Sequence, residues 1–296
     1  MRGSPRPLEG MLPRRQEFEV ELLPLADVGE IARPLRFWER VLNAGPVRTT
    51  LILVALAIVW ELYGLWLGIP ILFPTLTETL RTFWQDLLNG SLPNRVFTSL
   101  RSLFIGYGIG ILLAAVLTTF AVSSRLGTDL LRTLTAMFNP LPAIALLPLA
   151  LIWFGLGIPS MVFVIVHSVL WAVALNTLTG FQGVPETLRM SGRSFGLRGI
   201  RYVLLVLVPA AFPAILAGLK IGWAFAWRTL IAAELVFGVS SRSGGLGWYI
   251  FEARAQLDTS RVFAGLLAVI LIGLFVESVI FQSIERRTIR KWGMQR

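Results

Sequence analysis

The chain has 296 residues, 55% of them hydrophobic and 15% charged, with a mean hydropathy of +0.71, far from the balance of a water-soluble globular domain. Cysteine is absent, which excludes a disulfide framework, a thiolate metal site and a thiol nucleophile. The net charge of +10 would suit nucleic acid, but only two of the 27 basic residues are lysine and the arginines fall between apolar runs, a placement that fits membrane topology instead.

Residues 1–48 mix Pro, Arg and Glu without the short apolar stretch of a signal peptide and are expected to form a cytosolic leader. A bilayer core needs roughly 20 apolar residues of helix. Six runs approach that length: 50–67, 103–122, 134–154, 161–178, 202–237 and 262–281. The fifth is too long for one perpendicular crossing and carries Pro209 and Pro213 near its start, so its crossing is expected at 214–235 with the earlier piece at the interface. The intervening stretches 75–88 and 247–257 have the spacing of short helices lying on the membrane surface. The expectation is an all-α polytopic bundle of about six spans over 49–285, with a basic tail at 286–296.

Joining the runs alternately places nineteen basic residues on the side of the leader, the tail and the loop 179–201, and six on the other. The excess marks the first side, and both termini, as cytosolic.

The loop 179–201 is the most informative segment. Pro185 suits a first helical turn, Glu186 its positive end and Gly196 a left-handed stop. Ser191 and Gly192 are poor helix formers and leave a notch where another protein can approach. Arg189 and Arg193, one turn apart, stack like charges on one face that acidic neighbours would relieve.

Met190-Ser191-Gly192, Gly196, Val206, Val208 and Pro209 resemble the cytoplasmic-loop signature of ABC importer permeases: Glu-Ala-Ala, three residues, Gly, nine residues, Ile, one residue, Leu-Pro. Met190 stands where that family usually has Glu, and Glu186 lies one turn earlier. From about 99 to the C-terminus, Asn139-Pro140-Leu141-Pro142, Trp153-Phe154-Gly155-Leu156-Gly157, Pro209-Ala210-Ala211-Phe212-Pro213 and Ala232-Ala233-Glu234 follow in an order similar to the nitrate, sulfonate, taurine and bicarbonate branch. The resemblance implies a six-span type I ABC importer permease core and a homodimer in the bacterial inner membrane. It also implies two ATP-binding cassette subunits gripping the region from Ser191 to Gly196, and an extracytoplasmic solute-binding protein. ATP and its magnesium would belong to the partner ATPase, with no cofactor on this chain.

Independently of the resemblance, the chain contains no G-x-x-x-x-G-K-[ST] phosphate loop, so it is expected not to be an enzyme. Pro140, Pro142 and Pro148 interrupt the third run, and Pro209 and Pro213 the start of the fifth. Such breaks are tolerated only against protein or a wet cavity, so they read either as a gate or as kinked packing. Lys220, Arg228 and Glu234 share the fifth run. At about 100° per residue they fit one face roughly 120° wide. They read either as an anion pathway, with Arg228 and Lys220 drawing the anion in and Glu234 paired to an arginine, or as a structural ion-pair network or a snorkelling Lys220. His167 is expected to pack with its imidazole hydrogen-bonded to a carbonyl, and Glu61 and Glu277 to cap polar contacts between helices. No donor cluster suits a metal. The alternative to an ATP-driven importer is a self-sufficient secondary transporter or channel, against which stand the missing inverted repeat and carboxylate cluster.

Overall fold

The computed structural model describes residues 45–237 and 244–290, so the leader up to residue 44, the tail from 291 and Arg242 lie outside the described residues. All regular structure among the described residues is helical. The helices are α1 (Gly45–Leu67), α2 (Leu76–Leu88), α3 (Ser91–Ser123), α4 (Arg125–Phe138), α5 (Leu147–Phe154), α6 (Ile158–Gln182), α7 (Glu186–Ser194), α8 (Gly199–Tyr202), α9 (Val208–Phe237), α10 (Leu246–Ala255), α11 (Thr259–Phe275) and α12 (Gln282–Glu285). The chain divides into two units, Met1–Ala55 and Leu56–Arg296. Of the first, only the opening turns of α1 are described. The second holds the rest of α1 and every other helix.

Five helical runs are long and apolar enough to cross a bilayer: Val47–Leu67, Ser91–Ser123, Ile158–Gln182, Gly199–Val236 and Thr259–Thr288. Arg125–Phe138 and Ala143–Phe154 make a sixth span only as a pair bent by 86°. The six expected runs are therefore recovered, but the third is folded sharply in two. The fold falls at 139–142, where Pro140 and Pro142 remove donors from the ladder. Pro148 does not interrupt the span as expected. It sits in the first turn of α5, where a missing N–H costs nothing.

The fifth run also differs from expectation. Pro209 and Pro213 do not break it, and the helix is continuous over Gly199–Val236. For Pro209 the reason lies in the π-helical turn Val203–Leu207, where the Val208 N–H reaches back to the Val203 carbonyl, whereas Pro213 sits inside the regular helix that follows. The carbonyl four residues before Pro209 lies inside this widened turn, so the proline arrives where the ladder is already re-spaced.

Helix α6 is the centre of the bundle, packed between α3 and α9. Gly106 and Gly110 let α3 close on it: a Cβ on either would stand 2.6 and 2.8 Å from Ile165 and Val169. Such small-residue contacts bring helix backbones together where lipid supplies no hydrophobic drive. Helix α2 starts with a complete capping box, the Thr75 hydroxyl accepting from the Glu78 N–H and the Glu78 carboxylate from the Thr75 N–H, each at 3.1 Å. Glu61 accepts from the N–H and hydroxyl of Thr77 at 3.0 and 2.8 Å, the interhelical polar contact expected of it, whereas Glu277 is exposed. Helix α10 does not lie on a surface. Leu246, Gly247, Tyr249, Ile250 and Ala253 are buried, and it is wedged against α9 and α11.

Candidate functional site

Two places carry the chemistry, beginning with α7. Pro185 is the N-cap residue, one position before the helix rather than within its first turn. The helix ends in a Schellman motif: Gly196 has φ +75°, its N–H reaches the Arg193 carbonyl at 2.9 Å, and the Leu197 N–H reaches the Gly192 carbonyl at 3.1 Å. The left-handed stop is where the sequence placed it.

The notch at Gly192 is not open. Gly192 is buried, and a Cβ there would lie 2.8 Å from a Val206 methyl and 3.4 Å from the Tyr202 ring. The chain fills the notch itself, seating α7 on the π-helical turn that precedes Pro209. Nor does Arg189 stack outward with Arg193. Its guanidinium donates to the Val184 carbonyl at 3.1 Å and to the Phe181 carbonyl, tying α7 to the end of α6, with Glu186 3.9 Å away. Ser191 and Arg193 remain exposed, as do Leu188, Met190 and Phe195, at 44%, 56% and 81%. Leu188 and Phe195 were not legible from the sequence, and with Met190 they add exposed apolar side chains to the otherwise polar surface of α7 and its C-cap.

The second place is a pocket of about 340 Å³ in the angle of the broken span. Residues 139–144 of the bend, His167, Ser168 and Trp171 of α6, and Phe225, Arg228 and Thr229 of α9 line it. Arg228 holds its Nε–H on the Ala224 carbonyl at 3.0 Å and its guanidinium 5.1 Å from the Phe225 ring centre. No described carboxylate pairs with it.

The three ionisable groups of the fifth run therefore separate. Lys220 bonds Glu285 at 2.7 Å. Glu234, only 2% exposed, accepts from the Ser99 hydroxyl at 2.7 Å and the Gly247 N–H at 2.8 Å, while Ser99 Oγ accepts from the Leu246 N–H at 2.8 Å. Glu234 thus binds a hydroxyl and an amide, not an arginine, among the described residues, because α10 is pressed against it. Arg228 alone faces a cavity. His167 finds no carbonyl either: neither ring nitrogen has a partner among the described residues, and its neighbours are the rings of Phe138 and Trp171.

The family model described as "Binding-protein-dependent transport system inner membrane component" matches residues 106–290, which include α7, the bend and the pocket. The chain belongs to this family of permeases. The permease is 30% identical to the taurine transport system permease of Escherichia coli K12 over 79% of this chain and 85% of that one. It is also 30% identical to the protein designated the aliphatic sulfonates transport permease of the same organism, over 88% and 95%. The nitrate import permease of a Synechocystis strain is 28% identical over 79% and 86%. The permease is accordingly the multi-pass, non-catalytic membrane component of an ABC importer, a class that works with a separate ATPase and a solute-binding protein.

Proposed function

We propose that the permease conducts a small anion, of the nitrate, sulfonate, taurine or bicarbonate kind, inward across the bacterial inner membrane as a homodimer with both termini cytosolic. The observation that carries this is Arg228, a cation on a spanning helix with no described carboxylate beside it and a pocket in front of it. A charged residue at a helix centre costs about 2.5 to 3.5 kcal/mol on insertion scales, and an anion in transit offsets that cost. Lys220 and Glu234, held by Glu285 and Ser99, keep α9 in place around it. The exposed side of α7, with Glu186, Met190, Ser191, Arg193 and Gly196, is the seat for the ATPase, which binds the nucleotide and its magnesium. Gly192 and Pro209 pass its displacement to α9. The bend at Pro140 and Pro142, which is both the break in a span and the wall of the pocket, is the gate, with Pro148 at the start of α5 and Pro213 within α9 as further hinge positions.

The test is uptake into proteoliposomes holding the permease with its ATPase and binding protein. Accumulation should require ATP, and Gly196→Trp should abolish it while leaving membrane insertion intact. Concentrative uptake by this chain alone would overturn the proposal in favour of a secondary transporter.

A further inference from the structure

Helix α10 ends in the same motif as α7 but with a different residue at its decisive position. The Leu257 N–H reaches the Arg254 carbonyl at 3.1 Å and the Asp258 N–H the Ala253 carbonyl at 2.9 Å, a Schellman pair. The motif requires a left-handed residue just past the helix. Where α7 has Gly196, this corner has Leu257, which at φ +58° is the one non-glycine residue of positive φ among the described residues. Its Cβ makes that conformation unfavourable. Burial does not offset the cost, since Leu257 is 68% exposed. A leucine is held strained and in the open where glycine would serve the fold better, and an outlier of this kind points to a role beyond the fold.

A second observation concerns what lies beside it. The Thr259 hydroxyl donates to the Ile71 carbonyl at 2.6 Å, which pins the loop between α1 and α2 to the start of α11. That loop exposes Ile71 and Leu72, at 52% and 65%. Arg254 and Gln256 are exposed as well, and no described carboxylate pairs with Arg254. Exposed apolar side chains rimmed by polar groups mark a protein contact, and arginine is among the residues that anchor one. The corner is also fixed in advance: Asp258 accepts from the Arg261 N–H at 3.1 Å, and the Arg261 guanidinium is held on Asp86 at 3.2 Å. A fixed anchor loses little freedom when a partner closes on it.

The two ends of α9 say which side of the membrane this is. Helix α7 rests on Val206, just before α9, and α10 is held by Glu234, near its end. The 30 residues of α9 make about 45 Å of helix, more than the hydrocarbon core is thick. The corner after α10 therefore lies across the membrane from α7.

We infer that Leu257, with Ile71 and Leu72 beside it, is an anchor for the solute-binding protein, whose matching surface is an apolar recess with a carboxylate placed for Arg254. This rests on the importer proposal, which seats the ATPase on α7 and so leaves the opposite face to the binding protein.

The test uses the permease with its ATPase subunits in nanodiscs, titrated with its solute-binding protein. Leu257→Gly should melt no lower than wild type, because glycine suits the left-handed position, yet it should bind the partner at least tenfold more weakly. Leu257→Met, which keeps an apolar side chain, should stay within about threefold of wild type, and Leu72→Gln and Arg254→Glu should each weaken docking. The chain has no cysteine, so Leu257→Cys takes a single bimane label. Binding protein should shield that label from iodide in the water. Docking of Leu257→Gly within twofold of wild type, or quenching of the bimane by nitroxide lipid with no binding protein present, overturns the inference. Unchanged docking alongside ATP-driven uptake overturns this inference alone, and weakened docking alongside uptake that needs no ATPase overturns the importer proposal alone.

Discussion

The carboxylate of Glu234 and the hydroxyl of Ser99 lie 2.7 Å apart although 135 positions separate them in the chain. The pair joins α9 to α3, and through the Leu246 and Gly247 amides it also holds the first turn of α10. A carboxylate so placed works as a helix-start cap supplied from a neighbouring helix. It uses the acceptor capacity of an anion to satisfy amides that α10 cannot satisfy itself.

Removing that carboxylate should therefore loosen the bundle. Glu234→Ala leaves the Ser99 hydroxyl and the Gly247 N–H unpaired in a buried place, at about 1 to 3 kcal/mol for each group. Thermal melting of the purified complex in detergent should show a clear drop for Glu234→Ala and a smaller one for Glu234→Gln, which keeps one acceptor. Equal melting temperatures for wild type and Glu234→Ala would show that the network has no structural weight.

The seat of α7 can be tested by a compensating pair. Gly192→Ala puts a methyl 2.8 Å from Val206, an overpacking that costs about 1 to 3 kcal/mol if nothing gives way. Uptake should fall, and proteolysis within 185–198 should quicken. Val206→Ala should recover both in the double variant. No recovery would mean that Gly192 matters for what docks on α7 rather than for what lies beneath it.

Gly196 makes a different demand, since its Cβ would meet open space and only φ +75° resists a side chain. Gly196→Ala should cost about 1 to 2 kcal/mol locally, and Gly196→Asn less, because asparagine tolerates the left-handed region. Uptake rates ranked Gly, Asn, Ala, Trp would add to this strain the bulk that a docked ATPase meets at the same place. Alanine and tryptophan behaving alike would point to backbone strain as the whole effect.

Away from α7, the Tyr249 hydroxyl donates to Asp86, which also takes the Arg261 guanidinium at 3.2 Å. Burial, and then the hydrogen bond to Asp86, push the Tyr249 phenol above its usual range. With the folded state holding the proton more tightly than the unfolded chain, this stability is complete below about pH 10 and is lost as pH rises beyond it. Melting temperature against pH should therefore fall on the alkaline side, and less steeply in Tyr249→Phe. Coincident alkaline limbs would remove Tyr249 from the account.

The spans, the short helix after Thr75, the break at Pro140 and Pro142 and the stop at Gly196 were all legible in the sequence, because each is written in residues adjacent along the chain. The pocket was not, since the bend, α6 and α9 meet only in the folded molecule. Lys220 and Glu234 show the limit of helical periodicity most plainly. They share an azimuth, but the fourteen positions between them span about 21 Å along the axis, and each meets different neighbours. Gly192 misled for a related reason: a missing side chain signals close approach, and here the approaching group is the chain's own Val206.

The widened turn at Val203–Leu207 carries one residue more than a regular helix needs, and α7 rests directly on it. A surplus residue of this kind can migrate. Passing it along by one position re-registers the residue it crosses, by about 100° and 1.5 Å, and leaves the helix on either side in its old relation. A thrust delivered at α7 thus meets, at the foot of the helix that bears Arg228, a turn whose backbone bonds can be re-paired locally while α9 keeps its packing on α6.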